Sequence, residues 1–493
     1  MKTHRSAETS SATKNASAHL QWRRTKIIAT LGPASQKIAT IEKLLQLDVN
    51  AFRLNMSHGD HDSHRQLVSR IRRTAKRLDK HVAIIMDLCG PKIRVGKFEN
   101  DAIDLEEGTK VVITSRQVIG KAGLISSQYR QLHKDARPGE RILLDDGNLE
   151  LKVSSIKDTE VHCNVIYGGL LKNHKGMNLP DSLLSTPSFT AKDKEDALLA
   201  VQADVDFIAL SFVRNAADVQ TLQRYLKKQN AEIPIIAKIE KPEAIDNIDE
   251  ILEASYGIMI ARGDLGIELP AESVPLLQQK LIQKAREYDR PVIVATQMLE
   301  SMIYAARPTR AEVGDVANAA IGSADAVMLS GETASGKFPV KAVETMDRIL
   351  REIENHQWQN KSFGQRIAES SKGEFPVREA VARAALNLAN DLKLQGIIIP
   401  TRSGTTARIL AAARPSAPCI GVCSSEKVNR SLALHWGVVP VQVNEPSTHD
   451  WRALCTIISD KCNLTQSGHT VLLVSGFNHD PQLNEPVMKI LQV

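Results

Sequence analysis

Eight apolar, β-branched runs, each followed by a stretch with helical spacing, restrict this chain of 493 residues more than any other feature. The runs predict strands over Thr25–Thr30, Val49–Met56, Val82–Leu88, Val205–Val213, Ile233–Glu240, Tyr256–Asp264, Pro291–Met298 and Ala324–Ser330. Between them Thr40–Leu47, Ala216–Lys227, Ile245–Leu252, Leu276–Tyr288 and Arg310–Ile321 read as helices. Strand–helix alternation requires a parallel sheet with right-handed crossovers, the hand in which a twisted strand and its following helix pack back onto the sheet. Eight such units are the number that closes a (β/α)8 barrel. Aromatic residues are only 4% of a chain that is 42% hydrophobic, so Ile, Leu, Val and Ala must fill the interior. Those are the residues of parallel strands covered on both faces.

One interval is out of step. About 115 residues separate the third run from the fourth, and within them Lys110–Thr114, Arg141–Leu144, Leu149–Val153 and Val161–Val165 alternate between Gly, Asp and Asn breaks. A small β-barrel or sandwich, inserted at the top of the larger barrel, fits that pattern. After about residue 357 a helix over Val377–Leu392 and strands over Gly396–Pro400, Cys419–Cys423, Val438–Val443, Val471–Ser475 and Met488–Val493 indicate a separate α/β domain. The expected α/β organisation is a (β/α)8 catalytic barrel from 20–91 and 187–356, an inserted β-barrel lid over 92–186, and a C-terminal α/β domain over 357–493. Residues 1–19 are polar, lack the apolar core of a signal peptide, and are expected to be a disordered tail.

Charge and composition exclude several classes. The net charge of +6 comes from 63 basic and 57 acidic residues and is too diffuse for a nucleic-acid partner. Arg70, Arg72, Arg73, Lys76 and Arg77 form the one basic cluster, read as the solvated face of a helix. No run reaches the ~18 apolar residues of a membrane span. The six cysteines have no CxxC spacing and suit the reduced thiols of a cytoplasmic protein.

Active sites of (β/α)8 barrels lie at the C-terminal ends of the strands, so the residues there should form a coherent set. They do. Strand two ends in Arg53, Asn55 and Ser57, and strand three in Asp87, followed by Lys92 and Arg94. Strand four gives Ser211 and Arg214, strand five Lys238 and Glu240, and strand six Arg262 and Asp264. Strand seven gives Thr296, and strand eight Ser330 and Glu332. Carboxylates suit Mg²⁺, which takes one or two protein oxygens and otherwise keeps waters and substrate oxygens. Fixed cations suit a phosphoryl group in flight. The pattern alone supports either metal-assisted phosphoryl transfer or enolate chemistry.

The segments TKIIATLGPAS (25–35), FRLNMSHG (52–59), GPKIRVG (90–96), KGMNLP (175–180), IIAKIEKPEAI (235–245), MIARGDLGIEL (259–269), VATQMLESM (294–302), RPTRAEVGDVANA (307–319) and DAVMLSGETASGKFP (325–339) resemble the motifs of the pyruvate kinase family, in order and spacing. The resemblance covers roughly 24–493 and is highly specific over 235–339. It implies transfer of the phosphoryl group of phosphoenolpyruvate to ADP, giving pyruvate and ATP, the last step of glycolysis. By the same resemblance Glu240 and Asp264 bind Mg²⁺ or Mn²⁺, and amides over Ala261, Arg262, Gly263 and Asp264 hold the substrate carboxylate where a short helix begins. Lys238 neutralises the transferring group, and Arg53, Arg94 and Lys175 grip phosphates of substrate and nucleotide. Asn55 and His58 lie near the nucleotide. Thr296, supported by Ser330 and Glu332, relays the proton that converts enolate to pyruvate.

Two departures carry further expectations. Many family members need K⁺ and read DTKGPEIRT after strand three. Here Asp87-Leu88-Cys89-Gly90-Pro91-Lys92-Ile93-Arg94-Val95 puts a lysine where they have an acid. The Lys92 ammonium is expected to replace the K⁺ otherwise held at the positions of Asn55, Ser57 and Asp87, so K⁺ should not be required. In the C-terminal domain Thr401, Arg402, Ser403, Thr405 and Thr406 form a loop that resembles the family's holder of an effector phosphate. The usual second phosphate loop is not recognisable in SGFNHDP (475–481), which favours a monophosphate, a sugar phosphate or AMP. Such coupling implies an oligomer, and the family suggests a homotetramer.

Three signals are set aside. GETASGK (331–337) lacks the hydroxyl residue that ends a phosphate-binding P-loop, since Phe338 follows. His58, His61 and His64 read as a solvated helix start, and the Arg262–Asp264 RGD triplet as a buried strand end. Two other classes, a phosphoenolpyruvate or pyruvate aldolase or phosphohistidine transferase and a decayed non-catalytic regulator, are opposed by the insertion and by the presence of Lys238, Glu240 and Asp264.

Overall fold

The computed structural model describes residues 20–182, 184–364, 376–443, 450–464, 470–478 and 480–492; the tail expected over 1–19 lies outside them. Strands β1 (Lys26–Thr30), β2 (Ala51–Asn55) and β3 (Ala83–Asp87) open the barrel. The insertion follows with β4 (Ala102–Leu105), β5 (Lys110–Thr114), β6 (Leu124–Ser126), β7 (Arg141–Leu144), β8 (Leu149–Lys157), β9 (Glu160–Tyr167), β10 (Gly169–Lys172) and β11 (Met177–Asn178). The barrel resumes with β12 (Phe207–Leu210), β13 (Ile235–Ile239), β14 (Gly257–Ala261), β15 (Val292–Ala295) and β16 (Ala326–Leu329). These close in the order β1-β16-β15-β14-β13-β12-β3-β2. β3 and β12 pair directly, with Asp87 opposite Ala209, so the insertion leaves barrel closure intact.

Successive side chains of a strand face opposite ways. Ile27 and Ala29 therefore pack outward against the helices, while Ile28 packs inward. Phe207, Met259 and Met328 fill the interior, and Ala51, Ala83, Ala209 and Ala326 make room for them. All eight expected strands form, shorter than their apolar runs because the run ends become loops. The sixth stops at Ala261, and Arg262 opens a helix (Arg262–Glu268), so the RGD triplet starts a helix instead of ending a strand.

The insertion pairs as a six-stranded sheet, β11-β7-β8-β9-β5-β6, and a two-stranded ribbon, β10-β4, around one apolar core. The C-terminal unit is a five-stranded sheet of β17 (Gly396–Pro400), β18 (Cys419–Cys423), β19 (Val438–Gln442), β20 (Thr470–Ser475) and β21 (Val487–Gln492). Its order is β19-β18-β17-β20-β21, with β21 antiparallel. This unit closes the N-terminal end of the barrel. Leu434 is fully buried within the barrel's interior cluster. Around it Asp206 accepts from Arg430 Nε at 2.7 Å, Asp325 accepts from Arg414 Nη2 at 2.7 Å, and Tyr256 Oη lies 2.7 Å from His435 Nε2.

The basic helix (His61–Arg77) corrects two expectations. Arg72 is half-buried: it donates to Val82 O at 2.9 Å and to Asp206 Oδ2 at 2.7 Å, because the last turns of the helix come beside the N-terminal ends of the strands. His64 is buried with Nε2 at 2.9 Å from the His58 carbonyl, and His61 Nε2 lies 2.8 Å from Asp196 Oδ1, so neither is simply solvated. Among the described residues no helix is long and apolar enough to cross a membrane.

Candidate active site

The C-terminal ends of the strands converge on one mouth, and Lys238 stands at its centre. It is the penultimate residue of β13, its side chain is 11% exposed, and Nζ donates to Ser211 Oγ and Glu240 Oε1, each at 2.7 Å. Asp87 Oδ1 lies 3.5 Å away. Burial alone would lower the pKa of the ammonium, but Asp87, Glu240 and Asp264 outweigh it and hold the group above the usual lysine range. Ser211 in turn donates to Leu88 O at 2.9 Å, tying β12 to the loop after β3. Arg53 Nε donates to Asp87 Oδ2 at 2.7 Å, while Asp87 Oδ1 is buried without a hydrogen bond.

Glu240 is buried, and its Oε2 accepts from the Phe212 amide at 2.9 Å. Phe212 adopts φ 55°, a left-handed conformation that brings its N–H to the carboxylate. Burial pushes the Glu240 carboxyl up, and the Lys238 ammonium opposes that push. Asp264, on the next strand's helix, is half-buried, and its carboxylate makes no hydrogen bond or ion pair with the described residues. A partly open pair of hard oxygen donors, with the buried Asp87 oxygen nearby, fits Mg²⁺ or Mn²⁺.

At the other side of the mouth Thr296 and Gln297 follow β15 with φ of 66° and 51°. The Thr296 hydroxyl accepts from the Gly263 amide at 2.7 Å and donates to Ala295 O at 2.6 Å. The Gly263 amide is thus engaged, whereas the Arg262 and Asp264 amides have no backbone acceptor among the described residues. Glu332 is buried, accepting from Leu299 N at 3.0 Å and Ser330 N at 2.7 Å. Burial raises its pKa against those hydrogen bonds. Ser330 Oγ is buried without a partner.

The remaining expected residues are more scattered. Asn55 Oδ1 accepts from Ser57 N at 3.1 Å, and His58 is exposed. Arg94 and Lys175 belong to the insertion, where Arg94 donates to His174 O at 3.0 Å and Lys175 pairs with Asp145 at 2.6 Å. Lys92 is exposed and lines a narrow crevice with Asp146, Lys241 and Asp264; it has no ion-pair partner among the described residues. Sequence reasoning missed a second buried pair. Lys241 Nζ donates to Glu268 Oε1 at 2.8 Å, and Asn178 of β11 donates to the same oxygen at 3.0 Å, linking insertion and barrel. Only the polarity of Lys241, next to Glu240, could have pointed to it.

In the C-terminal unit, Thr401, Arg402, Ser403 and Thr406 wall a cleft of about 880 Å³ with Ser475, Gly476, Phe477 and Asn478 opposite, whereas Thr405 is not in the lining and pairs with Ser403 Oγ at 2.9 Å. Gly404, at φ 84°, turns its amide onto Thr401 Oγ1 at 3.0 Å and starts the helix Thr405–Ala412. Of the segment 475–481, His479 lies outside the described residues.

Strand ends that gather carboxylates, a buried ammonium and a polar relay at one barrel mouth define an enzyme of metal-assisted chemistry on anionic substrates. The chain belongs to the pyruvate kinase family. Residues 22–343 match the family model "Pyruvate kinase, barrel domain", and 379–491 match "Pyruvate kinase, alpha/beta domain". It is 44% identical to a pyruvate kinase of Geobacillus stearothermophilus over 92% of this chain and 78% of that one. A pyruvate kinase of Clostridium acetobutylicum is 39% identical over 92% of this chain and 96% of its own length. The crystal structure of a pyruvate kinase from Cryptosporidium parvum superposes with a TM-score of 0.86 at 36% identity, covering 95% of this chain and 96% of that one.

Proposed function

We propose that the mouth around Lys238 is where this chain carries out the chemistry of its family. As a pyruvate kinase the protein is a divalent-metal-dependent phosphotransferase, moving the phosphoryl group of phosphoenolpyruvate to ADP to give pyruvate and ATP. The observation that carries the assignment is the Lys238 ammonium, held between Ser211 and Glu240 and kept charged by three carboxylates.

Lys238 and Arg53 screen the charge of the phosphoryl group between donor and acceptor, fixed in place before the reaction begins. Glu240 and Asp264 hold Mg²⁺ or Mn²⁺, which supplies Lewis-acid charge to substrate oxygens when bound. Amides from Ala261 to Asp264 orient the substrate carboxylate. Arg94 and Lys175, with Asn55 and His58, hold the nucleotide as the insertion closes. Thr296, with Ser330 and Glu332 behind it, passes the proton to the enolate. A cytoplasmic setting suits the six scattered thiols.

Lys92 supports reading this chain as one of the lysine-bearing, potassium-independent type. Its unpaired ammonium at the crevice beside Asp264 supports that reading. The test is pyruvate formation from phosphoenolpyruvate and ADP with Mg²⁺, in buffer free of K⁺, Na⁺ and NH₄⁺. Near-maximal activity is expected, and heavy loss in Lys92→Glu, partly restored by K⁺. Stimulation of the wild type by more than about tenfold, ~1.4 kcal/mol, would remove the role given to Lys92.

The cleft at 401–406 is read as the seat of a phosphorylated effector, a sugar monophosphate or AMP, acting on a homotetramer. Support comes from the hydroxyls of Thr401 and Ser403, the exposed Arg402 and the glycine turn. Activation by such a compound is expected at subsaturating phosphoenolpyruvate and should vanish in Arg402→Ala. Absence of any response across sugar monophosphates and AMP overturns it.

A further inference from the structure

We propose that Arg262 is a positioning residue that holds the strained turn carrying Thr296, and so sets the rate of the proton step. The inference rests on the relay role proposed for Thr296. Two consecutive non-glycine residues with left-handed backbone follow β15, and the first is β-branched. A threonine in that region is an outlier that persists only where its surroundings over-determine it. The left-handed turn directs two successive carbonyls toward the same side. Arg262 Nη2 receives both, donating to Thr296 O and Gln297 O at 2.9 Å each. The guanidinium is anchored by Asp315 Oδ1, 3.3 Å from Nη1, on the helix Arg310–Ile321. The side chain is only 10% exposed, so water does not readily replace it as donor. Next along the chain, Gly263 N donates to Thr296 Oγ1 at 2.7 Å, so one dipeptide grips the turn's backbone and its hydroxyl together.

Glycine at 263 suits this grip, since an added Cβ would stand 3.3 Å from Thr296 Oγ1. Releasing the two carbonyls would let Thr296 relax toward ordinary backbone angles and swing its hydroxyl off the line to the substrate carbon. Substrate contacts made elsewhere at the mouth would remain.

The test isolates the proton step. With pyruvate, Mg²⁺ and ATP in D₂O, a C3–H bond breaks, its electron pair forms the enolate and its proton leaves through the relay to solvent; a deuteron then returns to C3 by the same path. Methyl exchange is read by NMR beside kcat and KM for phosphoenolpyruvate, in wild type, Arg262→Lys, Thr296→Ala and the double variant. Arg262→Lys is expected to slow exchange at least ~10-fold while KM changes less than about threefold, since the lost group acts on the reaction and not on substrate binding. Added to Thr296→Ala it should cost nothing further, the signature of two residues acting as one unit. Should Arg262→Lys fail to fold, Arg262→Gln is judged by the same criteria. Wild-type exchange in Arg262→Lys beside a crippled Thr296→Ala overturns the inference and leaves the relay standing, as does a full multiplicative loss in the double variant. Wild-type exchange in Thr296→Ala overturns the relay and this inference with it.

Discussion

Lys238 shows how a charge can be buried and still be useful. Its desolvation is offset by Glu240 and Ser211 at contact distance and by Asp87 just beyond, so the ammonium stays protonated throughout the working pH range. Lys238→Met is therefore expected to lower turnover at least ~10²-fold, the scale of one lost transition-state charge. Asp264→Ala should instead raise the Mg²⁺ concentration needed for half-maximal activity; steady-state titration of both variants against Mg²⁺ separates the two roles. Unchanged Mg²⁺ dependence in Asp264→Ala would take that residue out of the metal site. Lys238 and Glu240 stood out in the sequence because a charge at the end of an apolar strand has few structural uses, whereas Asp264 falls on the short helix that follows its strand. Thr296 was legible as a residue but not as a strained one. Its φ, and that of Phe212, come from tertiary contacts that no local pattern encodes. Arg72 misled because a helix face looks solvated in sequence when its end reaches a buried carboxylate.

The helix Ala191–Gln202 illustrates how one element holds the loop that follows another. Thr190 and Asp193 form a reciprocal capping box at its start. Asp193 is fully buried, and its other oxygen accepts from Gly90 N at 3.1 Å, in the turn that follows Asp87 and precedes Lys92. Gly90 itself is at φ 65°, and a Cβ there would come within 2.7 Å of the Phe212 ring. Asp193→Ala loses a cap and leaves a buried amide unpaired, together about 3 kcal/mol. A clear fall in Tm with a fall in kcat is expected, and Asp193→Asn should recover part of both. Thermal denaturation with parallel assays checks this, and an unchanged Tm would deny Asp193 its structural role. Elements of this kind were readable where periodicity is strong: β5, β7, β17 and β18 fall on their expected runs residue for residue. Boundaries set by partners were not, as where Arg262 begins a helix inside an apolar run.

The barrel and the C-terminal unit are bound through buried polar groups as well as apolar ones. His435 is fully buried against Tyr256, with Asp325, Arg408, Arg414 and Lys26 around it, and burial pulls its pKa down to about 3. The unfolded chain binds this proton near pH 6.5, so the histidine's contribution is whole above that value and is lost as pH falls toward 3. At pH 5 the loss is about 2 kcal/mol. Denaturant melts at pH 7 and 5 should show a steeper decline for the wild type than for His435→Gln, and equal declines would exclude the histidine. The seam has a meaning beyond stability, for it limits how such chains trade parts by recombination. Two regions that match separate family models look interchangeable, yet the barrel's floor is Leu434, and the charges on Asp206 and Asp325 are answered by Arg430 and Arg414 from across the seam. A graft that swaps one half must arrive with a leucine-sized plug and two arginines in register, so heritable novelty in the C-terminal unit travels with a strip of sequence that lies at the seam and outside the cleft at 401–406.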